Sequence, residues 1–124
     1  MPWEDYLASQ MPPSFRLPRD FKTFDFYDPI TKTAISAKTL DTLTTAKLAD
    51  PRQVYSSIKT NINDAANFPG YTLDRTVVTP DMIASRELRI AVPAATTSAQ
   101  WYEIGKAIQY GHTKGVVVIV TTIK

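Results

Sequence analysis

The chain has 124 residues, 44% of them hydrophobic and 21% charged, with a net charge of +2 and no cysteine. That length is one domain, able to bury about two-thirds of its unfolded surface without metal or disulfides. Structural disulfides and thiolate zinc sites are excluded, no run approaches the roughly 18 apolar residues of a membrane span, and the small net charge leaves room for only a local basic groove.

The N-terminus MPWEDYL is acidic where a signal peptide is basic, so no address is expected on the chain itself. Pro2 followed by Trp3, Leu7 and Met11 at i, i+4 and i+8 predicts a short amphipathic helix ending before Pro12-Pro13, with Glu4 beside its apolar stripe. The immediate start on this helix suggests a domain, residues 1–124, cut from the C-terminus of a larger polypeptide. The Pro-rich link MPPSFRLPRD follows, and its Arg16 and Arg19 read as plain surface charge in preference to phosphate contacts.

Phe24 to Thr42 reads as a β-hairpin, because Asp28-Pro29 and Ile30-Thr31-Lys32 separate two alternating runs. A turn centred between Ile30 and Thr31 puts Asp25 opposite Ser36. Period-two alternation then places Asp25, Tyr27, Ala34, Ser36 and Lys38 on one face and Phe24, Phe26, Thr33, Ile35 and Ala37 on the other. Asp28 falls outside the first set and reads as a turn residue; Thr39 and Asp41 read equally as support for the site or as a loop cap.

Beyond the hairpin, Asp50-Pro51 predicts a cap before a helix with the stripe Val54, Ile58, Ile62 and Ala66, ending at Phe68-Pro69-Gly70 and packing on the hairpin's apolar face. A short run at Thr76 to Val78 precedes a clearer strand from Glu87 to Val92, flanked by Arg86 and Arg89 as groove candidates. A second long helix is expected from a Ser98 cap, with Trp101, Ile104, Gly105 and Ile108 as its core face and Gly111 as its stop. The closing GVVVIVTTIK reads as a strand buried on both faces. This order predicts an α/β fold with a mixed central sheet and flanking helices.

Directly opposed residues have Cβ atoms roughly 5 Å apart, so Asp25 and Ser36 could share a metal shell or its water, with Lys38 about 7 Å further along the same face. A carboxylate-bound divalent cation lowers the pKa of bound water and offsets charge on a phosphate, and an ammonium can orient the nucleophile or stabilise developing charge. An Asp/Ser/Lys trio on a hairpin is more often an ordinary solvated face, so spacing alone is a weak signal.

The hairpin resembles the catalytic core of the PD-(D/E)xK and type IIS restriction-endonuclease-like superfamily. More narrowly, it resembles the nuclease toxin domains at the C-termini of contact-dependent growth inhibition effectors. In that group a Ser replaces the second acidic residue and a Glu on an upstream helix completes the site. Asp25, Ser36 and Lys38 match in order and spacing, and Glu4 stands where the helical Glu belongs. The match is specific over residues 21 to 42.

The resemblance implies a DNase with catalytic Glu4, Asp25, Ser36 and Lys38, of which Glu4, Asp25 and Ser36 bind the metal. It also implies a cognate immunity protein, carriage on a secreted cell-surface effector and action in the target-cell cytoplasm. Ser36 leaves fewer anionic donors than Asp or Glu would, which favours Zn2+, with Mg2+ as the alternative. An exposed hairpin or strand edge in the Arg75 to Val92 region is the expected immunity-protein dock by β-augmentation. The rival readings are a transfer-RNA-cleaving RNase of the same fold and a catalytically inactive module that binds nucleic acid or protein. His112, the only histidine, reads as a solvated loop residue, which excludes a two-imidazole ribonuclease mechanism. No glycine-rich phosphate loop or nucleophile elbow is present.

Overall fold

The computed structural model describes residues 2–123. Helix α1 (Trp3–Ser9) opens the chain, with Glu4 and Asp5 in its first turn, where the helix dipole favours acidic side chains. A single 3₁₀ turn (Pro13–Phe15) leads to strands β1 (Phe26–Asp28) and β2 (Thr33–Thr39). Then come α2 (Thr45–Ala49), α3 (Arg52–Ala66), the short strands β3 (Tyr71–Leu73) and β4 (Thr76–Val78), β5 (Ser85–Pro93), α4 (Ser98–Thr113) and β6 (Val116–Ile123).

The main sheet has the order β1-β2-β5-β6 and is mixed: β1 is antiparallel to β2, whereas β2, β5 and β6 are parallel. Because the strand order advances in one direction through two helical crossovers, right-handed connections must put both crossover helices on the same face. Accordingly Val54, Ile58 and Ile62 of α3 and Ile104 and Ala107 of α4 form one core with Ala34, Leu88, Ile90, Val92, Val116 and Val118. The opposite face is covered by α1, whose Trp3 and Leu7 pack on Phe26, Ile35 and Ala91. The Trp3 indole Nε1 donates to the Arg89 carbonyl at 3.1 Å, pinning α1 to the central strand.

Several expectations are corrected. Helix α3 lies behind Ala34 and β5, and the Phe26–Ile35 face belongs to α1. The alternation of Phe24 and Phe26 is broken, since Phe24 joins the α3–α4 core and Phe26 the α1 core. Strand β6 is an edge: Val117 is 54% and Ile119 39% exposed, because only one of its faces meets a helix. In α4 the cap is Thr97, not Ser98, and its hydroxyl accepts from the Gln100 N–H.

The buried face of α4 is also different, comprising Gln100, Glu103, Ile104, Ala107 and Gly111, while Trp101 and Ile108 remain more than one-third exposed. Gln100 tolerates burial because its amide donates to the Thr42 carbonyl at 2.6 Å and bonds the Thr97 N–H at 3.0 Å. Gly111 does not stop the helix; it lets α4 lie on β6, and Gly115 at φ +74° makes the turn. His112 is exposed but helical, in the last turn of α4. The hairpin β3–β4 supplies its own turn with Asp74 and Arg75 at φ +50° and +69°.

A Cβ at position 111 would meet the Val116 carbonyl and a Val118 methyl, each at 2.8 Å. Gly111→Ala should therefore destabilise the chain by about 1–3 kcal/mol despite alanine's better helix propensity. Urea denaturation of the two proteins checks this, and equal midpoints would contradict it.

Candidate active site

The hairpin register pairs Phe26 with Ile35, Tyr27 with Ala34 and Asp28 with Thr33, which extends to Asp25 opposite Ser36. Asp25 lies just outside β1, where the ladder ends. Its backbone N–H donates to the Ile35 carbonyl at 2.8 Å, its carbonyl accepts from Leu17 N–H at 2.9 Å, and Thr23 nearby takes φ +70°. The chain thus leaves the strand at Asp25. That departure separates Phe24 from Phe26 and lets the Asp25 Oδ2 accept from the Ala37 N–H at 2.7 Å.

The carboxylate is then held against the backbone of β2, and α1 brings Glu4 within hydrogen-bonding reach of it. The Asp25 carboxyl is pushed from 3.8 up to about 7 as the net of opposing effects: burial is the largest and raises it, the Ala37 N–H lowers it, Glu4 raises it and the Lys38 charge lowers it. The structure therefore brings Glu4 and Asp25 to one groove, and the charge of Lys38 is felt at Asp25. Ser36 is 2% exposed on the face of β2 that Ala34 shares, one residue from the Ala37 amide that grips Asp25. Lys38 is exposed.

Glu4 and Asp25 line a groove of about 630 Å³ with Asp5, Arg16, Arg19 and Asp20. Sequence reading missed the pairing of Arg16 Nη2 with Glu4 Oε2 at 2.8 Å and Asp5 Oδ1 at 2.6 Å, which joins groups far apart in sequence. The other candidates have structural duties. Arg86 donates to the Ala65 and Ala66 carbonyls at the end of α3; Arg89 pairs with Glu87 at 2.8 Å and with it lines a separate groove of about 360 Å³. Asp28 caps the turn through Ile30 N–H, and Asp41 caps its loop through Leu43 N–H.

Two adjacent carboxylates, one buried enough to resist ionisation, suit a hard or borderline divalent cation, which relieves the burial and the repulsion together. Among the described residues no group of three or more His, Cys, Asp or Glu converges, so protein donors beyond this pair would be hydroxyl or carbonyl oxygens.

A family model described as CDI toxin restriction endonuclease-like domain matches residues 1–121. The chain belongs to this family. It is 55% identical over 124 residues to deoxyribonuclease CdiA-o11 of Escherichia coli O157:H7 (strain EC869), and 52% identical to deoxyribonuclease CdiA of Yersinia pseudotuberculosis serotype O:3 (strain YPIII). Both alignments cover the whole chain, but it spans only 33% and 12% of those relatives' lengths. Among solved structures, a CdiA-CT/CdiI toxin and immunity complex from Yersinia pseudotuberculosis matches with a TM-score of 0.91 and 52% identity, covering both chains completely. The restriction-endonuclease-like fold of the family agrees with the mixed sheet and flanking helices, and such nucleases generally use a divalent metal.

Because the folded Asp25 carboxyl titrates near 7 and the unfolded one near 3.8, the metal-free folded chain holds the extra proton between those values. Its stability should fall as pH rises from about 4 to about 7 and level off above. Asp25→Asn should remove that dependence and melt higher than the parent at pH 8. Thermal melts in chelator at stepped pH check this; an identical pH profile in the variant would contradict it.

Proposed function

We propose that this chain is a toxin endonuclease that hydrolyses DNA phosphodiesters with a divalent metal, and that a cognate immunity protein neutralises it. The observation that carries the reading is the Glu4–Asp25 carboxylate pair with the Lys38 charge beside it. The two relatives that align along the whole chain are both named deoxyribonucleases, which supports DNA as substrate. In this reading the domain is carried on a cell-surface effector and acts in the target-cell cytoplasm. Among the described residues no helix is long and apolar enough to cross a membrane.

Glu4 and Asp25 would hold the metal, with Ser36 contributing its hydroxyl directly or through water. When bound, the ion supplies Lewis acidity, lowering the pKa of a coordinated water and offsetting charge on the phosphate. Asp25 is pre-set for binding, because Ala37 N–H fixes Oδ2 and so one rotamer of the carboxylate. Lys38 stands free in solvent beside Asp25, where its ammonium would orient the nucleophile and stabilise the pentacovalent charge. With two carboxylates and one hydroxyl, zinc is favoured over magnesium, which keeps more of its own waters.

The immunity protein is assigned to the β3–β4 hairpin by β-augmentation. Within the region expected from sequence, β5 has no free edge, being paired on both sides, whereas β3 and β4 form a two-stranded sheet of their own. Val77, 48% exposed, presents an apolar side chain there.

Plasmid DNA and total transfer RNA, incubated separately with the domain in zinc, magnesium or chelator, test the reaction. Metal-dependent DNA cleavage is expected, reduced at least about 100-fold in Asp25→Ala and Lys38→Ala. Cleavage of RNA alone would replace the substrate, and no cleavage would favour a binding module. For the dock, Val77→Asp should weaken immunity-protein affinity at least about tenfold without changing DNA cleavage; unchanged affinity would move the interface elsewhere.

A further inference from the structure

Glu4, Asp5, Asp20 and Asp25 put four carboxylates around the groove, against the two guanidiniums of Arg16 and Arg19. With every group ionised this lining carries two net negative charges, so on its own it repels a phosphodiester. A bound divalent cation brings it to neutrality, and any attraction for the strand must then come from a positive group turned outward.

Arg16 is built for that role. Its backbone is fixed: Arg16 N–H donates to the Pro13 carbonyl at 3.2 Å, and the residue forms an isolated antiparallel bridge with Phe26 next to Asp25. Its side chain is anchored by a single nitrogen, because both the Glu4 bond at 2.8 Å and the Asp5 bond at 2.6 Å come from Nη2. Among the described residues Nε and Nη1 have no hydrogen-bond partner, and they lie on a side chain that is 41% exposed. Ion pairs this exposed add little to stability, so folding alone gives little reason for the arrangement. A guanidinium held at Nη2 keeps its charge and leaves the Nε–H and Nη1–H donors on separate edges, each able to donate singly to a phosphate oxygen.

Resting on the DNase reading, we propose that Arg16 is the phosphate-binding residue of the substrate groove, holding a backbone phosphate of the DNA strand beside the Glu4–Asp25 metal site. Asp5 and Glu4 aim the guanidinium, and a phosphate oxygen accepts from its Nε–H or Nη1–H. In this proposal Arg16 takes the phosphate-contact role that the sequence reading placed second to plain surface charge.

The test uses the Lys38→Ala chain, to suppress cleavage, with Arg16, Arg16→Gln or Arg16→Lys. Binding of a fluorescent DNA duplex is measured by anisotropy across a salt series in zinc, and zinc affinity by calorimetry without DNA. Arg16→Gln should weaken DNA binding roughly tenfold and reduce the slope of log K against log salt by about 0.9, one phosphate contact. Arg16→Lys should restore the slope, and zinc should bind Arg16→Gln no more weakly than the parent. An unchanged slope with weakened zinc binding would make Arg16 a holder of Glu4 and overturn the proposal. If the Arg16 chain itself fails to bind DNA in zinc, the DNase reading falls and takes the proposal with it.

Discussion

The hydrogen bond from Ala37 N–H to Asp25 Oδ2, 2.7 Å long, joins the fold to the site. It forms because the chain leaves β1 at Asp25, and that departure has two effects. It sends Phe24 and Phe26 into separate cores on opposite faces of the sheet, locking the hairpin between them. It also holds a carboxylate where burial raises its pKa to about 7, beside a second carboxylate on α1. Burying such a pair costs stability unless something positive joins it, so the fold keeps a local strain that a cation would relieve.

Strand order explains why this strain is tolerable. The run from β2 through β5 to β6 places α3 and α4 on one face, where most of the large apolar side chains are buried. That face supports the fold. The other face has only the seven-residue α1, held by Trp3, Leu7 and the indole bond to Arg89. A thin cover leaves room for the groove of about 630 Å³ at its edge, where Glu4 meets Asp25.

Local patterns carried much of this architecture. The turn chemistry of Asp28 to Lys32 set a register that the pairing of Phe26 with Ile35 matches, and the stripe Val54, Ile58, Ile62 marked the buried face of α3. What stayed hidden depends on contacts between distant residues. The break at Asp25 needs Ala37 and Leu17, and the burial of Gln100 needs the Thr42 carbonyl. The edge position of β6 is a property of strand order, which a run of valines does not encode. Gly111 looked like a helix stop because only the neighbouring β6 reveals a close approach. At the site, Glu4 lines the same groove as Asp25, whereas the tie from Arg16 to Glu4 and Asp5 had no local signature.

The metal site proposed at Glu4 and Asp25 is best tested by anomalous diffraction at the zinc edge from crystals grown with zinc. One strong peak bonded to carboxylate oxygens of both Glu4 and Asp25, absent from crystals of Asp25→Asn, is expected. A zinc peak confined to the surface, for example at His112, with none between the two carboxylates, would contradict it.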